Sequence, residues 1–139
     1  MQATGLRTAV AFVLLLAACS VSIANQDSVE IPGPAAADQK LELAQEVATA
    51  VWNSGLPARI HEQFPSLSEE ELRGLGVRWN RTTFAAFNGP DKGKARTQVV
   101  ILCVFSHGRE VGPVADRIVQ ACKREMQAAL QKRLATPSA

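Results

Sequence analysis

Hydrophobic and polar positions change their rhythm along this chain, and each rhythm predicts an element. Between residues 38 and 55, Leu41, Ala44, Ala48, Val51 and Trp52 recur at spacings of three and four. Gln39, Glu42, Gln45, Glu46 and Asn53 lie away from that stripe, so an amphipathic helix is expected, with Asp38 as its N-cap and Gly55 and Pro57 as its stop. Pro57 opens a short second helix through Ile60 and Phe64, ended by Pro65. Ser68-Glu69-Glu70-Glu71 is a capping box that starts a third, with Leu67 placed to staple against Leu72, and Gly74 and Gly76 close it.

The period then drops to two. Val77, Trp79, Ala85 and Phe87 alternate with Arg78, Asn80, Thr82 and Ala86, which predicts a strand over 77–87 whose core face carries Trp79 and Phe87. Arg81 and Phe84 break the alternation, so a bulge is expected near them. A turn-rich loop, 88–94, leads into a second strand over 97–105. That strand is apolar on both faces: Val99, Ile101, Cys103 and Phe105 on one, Val100, Leu102 and Val104 on the other. Such strands are normally covered on both sides. Two strands under one helical layer leave a face bare, so either a further strand or a partner is required, and a homodimer is one way to supply it. The last helix runs from about Gly112 or Pro113 to Leu134, with Val114, Ala115, Ile118, Cys122, Met126 and Ala129 as its buried stripe. The expected fold class is α+β: N-terminal helices, an antiparallel hairpin or small sheet, and a long C-terminal helix packed on it.

Composition adds one restriction. With 139 residues, 47% apolar and 20% charged, the chain is too apolar for disorder and too short for a multidomain enzyme. Its net charge of +2 hides an asymmetry. Residues 19–72 hold nine acids and two bases; residues 73–139 hold four acids and twelve bases. Arg73, Arg78, Arg81, Lys92, Lys94 and Arg96 crowd the predicted hairpin against a single acid, Asp91. These bases either complement the acidic half across the folded surface or form a patch for an anionic partner.

The N-terminus has a different character. Arg7 precedes an apolar run, 8–18, too short to cross a bilayer as a helix. The run ends in Leu16-Ala17-Ala18-Cys19, which resembles the bacterial lipobox, where small residues precede a cysteine that is lipidated and becomes the new N-terminus. The resemblance covers about the first 20 residues and defines a processing class, not a domain family. It implies a signal peptide over 1–18, acyl chains on Cys19 and anchoring in a membrane. Ser20 is not the Asp that marks inner-membrane retention in the enterobacterial lipoproteins it resembles, so an outer-membrane protein facing the periplasm is expected. The alternative is a soluble secreted or periplasmic protein cleaved after Ala24, at an A-x-A-like site. Residues 19–37, with Pro32, Gly33 and Pro34, are expected to form a flexible tether, 38–134 a single domain and 135–139 a disordered tail.

Lipidation also resolves the odd cysteine count. It leaves Cys103 and Cys122, an even pair in an oxidising compartment, one mid-strand and one mid-helix; a disulfide would staple helix to sheet through the core, and two buried thiols are the alternative. Two cysteines 19 apart with distant histidines lack zinc-ligand spacing, and neither a metal nor a cofactor is expected. Ser106-His107-Gly108-Arg109 ends the second strand just before a helix, a place where backbone N–H groups, His107 and Arg109 could hold an anion. As strand neighbours, Ser106 and His107 point to opposite faces, which disfavours a nucleophile–base pair. Arg78-Trp79-Asn80-Arg81 interleaves bases and aromatics as single-strand binders do, but an envelope location and a core Trp79 argue against nucleic acid. The expectation is a non-enzymatic binding or assembly module that meets an envelope protein or an anionic envelope component. A periplasmic inhibitor or immunity protein and a small enzyme at 106–109 stand as alternatives.

Overall fold

The computed structural model describes residues 23–136. Its elements are β1 (Ile23–Glu30), α1 (Ala37–Asn53), α2 (Leu56–Gln63), α3 (Glu69–Leu72), β2 (Leu75–Ala85), β3 (Ala95–His107), a 3-10 turn (Arg109–Val111) and α4 (Gly112–Ala135). The strands form an antiparallel sheet in the order β1-β3-β2, with the doubly apolar strand at its centre. The α+β class is therefore observed, long C-terminal helix included.

The main departure from the sequence reading is β1. Residues 23–30 lie in the segment expected to be a flexible tether, but they pair with β3 from Ile23↔His107 to Glu30↔Val100. The pairing continues one residue further, where the Ile31 N–H donates to the Val99 carbonyl at 2.9 Å. Val29 and Ile31 reach the core. Only two large apolar residues anchor this strand, too few for a hydrophobic pattern to announce it; the exposed backbone edge of β3 supplies the rest by hydrogen bonding. Pro32 and Pro34 then end the strand, and Gly33, at φ +100°, makes the turn into α1.

The helices start and stop close to their expected places. Asp38 is not the N-cap of α1: Ala36 holds that position without a side-chain cap, and Asp38 sits in the first turn, where its charge favours the helix dipole. The capping box at α3 is formed on both sides, between Ser68 and Glu71. Pro113 lies in the first turn of α4, and the helix continues through Ala135, one residue into the expected tail. β2 and β3 keep one register from Leu75↔Phe105 to Ala85↔Ala95, so the expected bulge is absent. The unbroken alternation puts Arg81 on the helix side of the sheet, where it pairs with Asp38 at 3.2 Å, and Phe84 on the other side.

The core lies between the sheet and one layer of helices. Val99, Ile101, Cys103 and Phe105 from β3 meet Ala44, Val47, Ala48 and Val51 of α1 and Ala115, Ile118, Cys122 and Met126 of α4. Cys103 and Cys122 are bonded, so the expected helix-to-strand staple is in place and fully buried. Arg59 on α2 ties three helices together: it pairs with Glu125 of α4 at 2.7 Å and donates to the Ser54 carbonyl, 2.8 Å, at the end of α1. Asp27, on the helix side of edge strand β1, is met by Lys123 at 3.0 Å and by the Gln120 amide. An inward charge on an edge strand discourages pairing with another chain, because that edge cannot be extended without disturbing the ion pair.

Candidate functional site: an uncovered sheet face and a basic arm

Strand alternation decides what each side of the sheet presents. The odd-numbered residues of β3 enter the core, and the even-numbered ones do not. On that second face Val104 lies between Gln26 and Gly76, Leu102 between Ser28 and Arg78, and Val100 between Glu30 and Asn80. Among the described residues no helix packs on it. Val100 is buried among its neighbours, while Leu102 and Val104 are half-buried. β1 thus widens the sheet and, because it joins at the edge, adds no layer to the second face.

Beyond Val99 the sheet narrows to two strands. β2 from Thr82 and β3 up to Thr97 form an arm whose side chains are exposed. Phe84, 38% exposed, stands opposite Arg96 on the same face as Leu102. Phe87 follows the end of β2 and is 80% exposed; its expected place in the core is wrong, since α1 ends its cover at the Arg81–Asp38 contact and nothing described lies over the arm. Trp79, one face over, does pack against the core.

The six basic residues singled out in the sequence do not form one patch. Arg81 is paired with Asp38, and Lys94 lies 3.8 Å from Asp91. Arg78 and Arg96 share the uncovered face, and Lys92 is in the loop at the arm's tip. Arg73 precedes β2 at the far end, about 35 Å from Arg96 at ~3.3 Å per strand residue. Charge complementation between the two halves of the chain operates in the body of the domain, where Arg81–Asp38, Lys123–Asp27 and Arg133–Glu46 all join basic-half to acidic-half residues. Among the described residues Arg78, Lys92 and Arg96 have no ion-pair partner within 4.0 Å.

His107 and Arg109 are not brought together as an anion loop. His107 is buried: Nδ1 lies 2.8 Å from the Gly108 carbonyl oxygen, and Nε2 lies 2.6 Å from Oδ1 of Asn25. Both ring nitrogens thus serve to pin the start of β1 to the end of β3. Ser106 is exposed on the opposite face, as alternation requires.

A second concavity escaped the sequence reading. Trp52, Pro57, His61, Leu72, Arg73 and Leu75 line a cleft of about 610 Å³ between the end of α1, the two short helices and the start of β2. His61 is half-buried there, with Nε2–H donating to the Leu67 carbonyl at 3.1 Å. No periodic signal could have located the cleft, since its walls come from four elements. Cys19 and the apolar run before it lie outside the described residues. The chain matches no protein-family model, no curated protein and no solved structure.

Proposed function

We propose that this protein is an envelope lipoprotein, anchored in the outer membrane through acyl chains on Cys19, that acts as a binding or assembly module and not as a catalyst. The observation that carries the binding role is the uncovered face of β3, with a stripe of apolar side chains outside the core and two unpaired arginines beside it. A buried cross-link between strand and helix supports residence in an oxidising compartment.

β1 gives this reading a geometry. If Cys19 is the lipidated residue, only three residues separate it from Ile23, the first paired residue of the sheet. Four peptide steps reach at most about 14 Å. The domain would therefore be held close to the membrane by the His107 end of β3. The arm lies at the other end and reaches Ala95, twelve residues away along β3, or about 40 Å at ~3.3 Å per residue. Arm and face would point away from the anchoring leaflet, towards partners in the periplasmic space. The alternative cleavage after Ala24 would remove the first two paired residues of β1.

The test is fractionation together with cross-linking. The parent chain should sediment with membranes and Cys19→Ser should appear in the soluble fraction; retention of Cys19→Ser on washed membranes would refute the anchor. A photo-cross-linker at Leu102 should give a discrete adduct in envelopes that Val104→Asp abolishes. His107→Ala with Arg109→Ala, if still folded, should leave that adduct unchanged.

A further inference from the structure

We infer that the uncovered sheet face is the seat of one amphipathic helix with an acidic flank, contributed by a partner protein. The inference rests on the proposed binding role and names the chemistry of the partner.

The dimensions select a helix. Three strands at ~4.8 Å spacing place the outer strand axes about 10 Å apart, which one helix of about 10–12 Å diameter fills. The apolar positions run along the strand direction. Val104, Leu102 and Val100 on β3 are followed, past the polar row of Gln98 and Thr82, by Phe84 on β2, in the row of Arg96, eight residues from Val104 along β3. That is about 27 Å, the length of an 18-residue helix at ~1.5 Å per residue. A second copy of this chain fits poorly. The three-stranded part, about 14 Å by 13 Å, and the two-stranded arm, about 10 Å by 13 Å, together offer roughly 300 Å², well under half of the ~800 Å² per partner of a standard interface. Two copies would also oppose the arginines of one face to those of the other.

Charge then orients the helix. The face carries Arg78 on β2 and Arg96 at the start of the arm, while the β1 side carries Gln26, Ser28 and Glu30. Arg78 stands on β2 and Arg96 on β3, so a helix with one acid over β2 in the row of Leu102 and another over β3 in the row of Phe84 meets both arginines. Their rows are six residues apart on β3, about 20 Å, so the two acids lie about four helical turns apart. A basic flank there meets like charge, which disfavours the wrong partner more than any single contact favours the right one.

The probe is a pair of 18-residue helices with the same leucine stripe, one with glutamates and one with lysines on the flank. Binding to the full disulfide-bonded chain is read by anisotropy, and the site by methyl and aromatic shifts. The glutamate helix should bind and shift Leu102, Val104 and Phe84, and higher salt should weaken it. Arg78→Glu with Arg96→Glu should weaken it by about tenfold or more and give the lysine helix the advantage. Both arginines are exposed, so an unchanged melting profile will show that the variant is folded. Equal binding of the two helices, shifts confined to the Trp52 cleft, or a dimer closed by this face overturns the inference. Failure of both helices while the Leu102 adduct persists in envelopes overturns it too, and leaves the module reading standing.

Discussion

Removing the Cys103–Cys122 cross-link is the sharpest perturbation of this fold, because its effect can be worked out beforehand. The cysteines are 19 residues apart and join the middle of β3 to the middle of α4. For a loop of about 20 residues the chain-entropy relation gives ~11 cal/mol/K, or about 3 kcal/mol at 25 °C. Both side chains are almost fully buried, so Cys→Ala adds up to about 1 kcal/mol per sulfur for the lost packing. Cys103→Ala with Cys122→Ala should therefore lose about 3–5 kcal/mol, a large share of the ~5–15 kcal/mol that typically stabilises a domain. Urea unfolding without reductant measures it, and a thermal midpoint roughly 10–20 °C lower should accompany the loss. Parent protein unfolded in reductant should lose the loop contribution alone, which separates entropy from packing. A double variant within about 1 kcal/mol of the parent, beside a parent indifferent to reductant, would refute the staple and leave two buried thiols.

Other consequences can be checked on the same preparation. Burial raises the pKa of the Asp27 carboxyl, but hydrogen bonds from Lys123, the Ser28 N–H and Gln120, with the Lys123 charge, outweigh it and hold the pKa below its ordinary value. Its contribution is therefore present above the unfolded pKa near 3.9 and is lost as pH falls through the lower folded value. Asp27→Asn should lose about 1 kcal/mol at neutral pH, with the gap to the parent closing in acid; a gap constant down to pH ~2 would contradict this. A Cβ at Gly74 would sit 1.8 Å from the Ser106 carbonyl oxygen, whereas nothing lies within 4 Å of one at Gly76. Gly74→Ala should lose on the order of 3 kcal/mol by denaturant titration and Gly76→Ala well under 1, so equal effects would show that the β2–β3 pairing there is misplaced.

Much of the fold was legible because its signals are local. The stripe of Ala115, Ile118, Cys122 and Met126 has a helical period, Ser68 and Glu71 satisfy each other within one turn, and Pro57 and Pro113 stand where a helix can accept a missing N–H. The apolar run over 97–105 also declared a strand, but not its place between two others, since apolar faces on both sides call for covering layers and say nothing of edge neighbours. β1 was not legible: six of its eight residues are polar or small, and what holds it is the backbone edge of β3, the Asp27–Lys123 pair and the Asn25–His107 contact. Partners 70 to 96 positions away leave no periodic mark. The same limit applies to the candidate site. Its apolar stripe was visible as Val100, Leu102 and Val104, but only the pairing register could place Arg78 and Arg96 beside it and send Arg73 to the other end. By itself the sequence determined the helices, the apolar strand, the cysteine pair and the export-signal resemblance, all properties of neighbouring residues. The tertiary structure decided which face of the sheet was left uncovered, because that depends on which side of β3 two distant helices bury their stripes against.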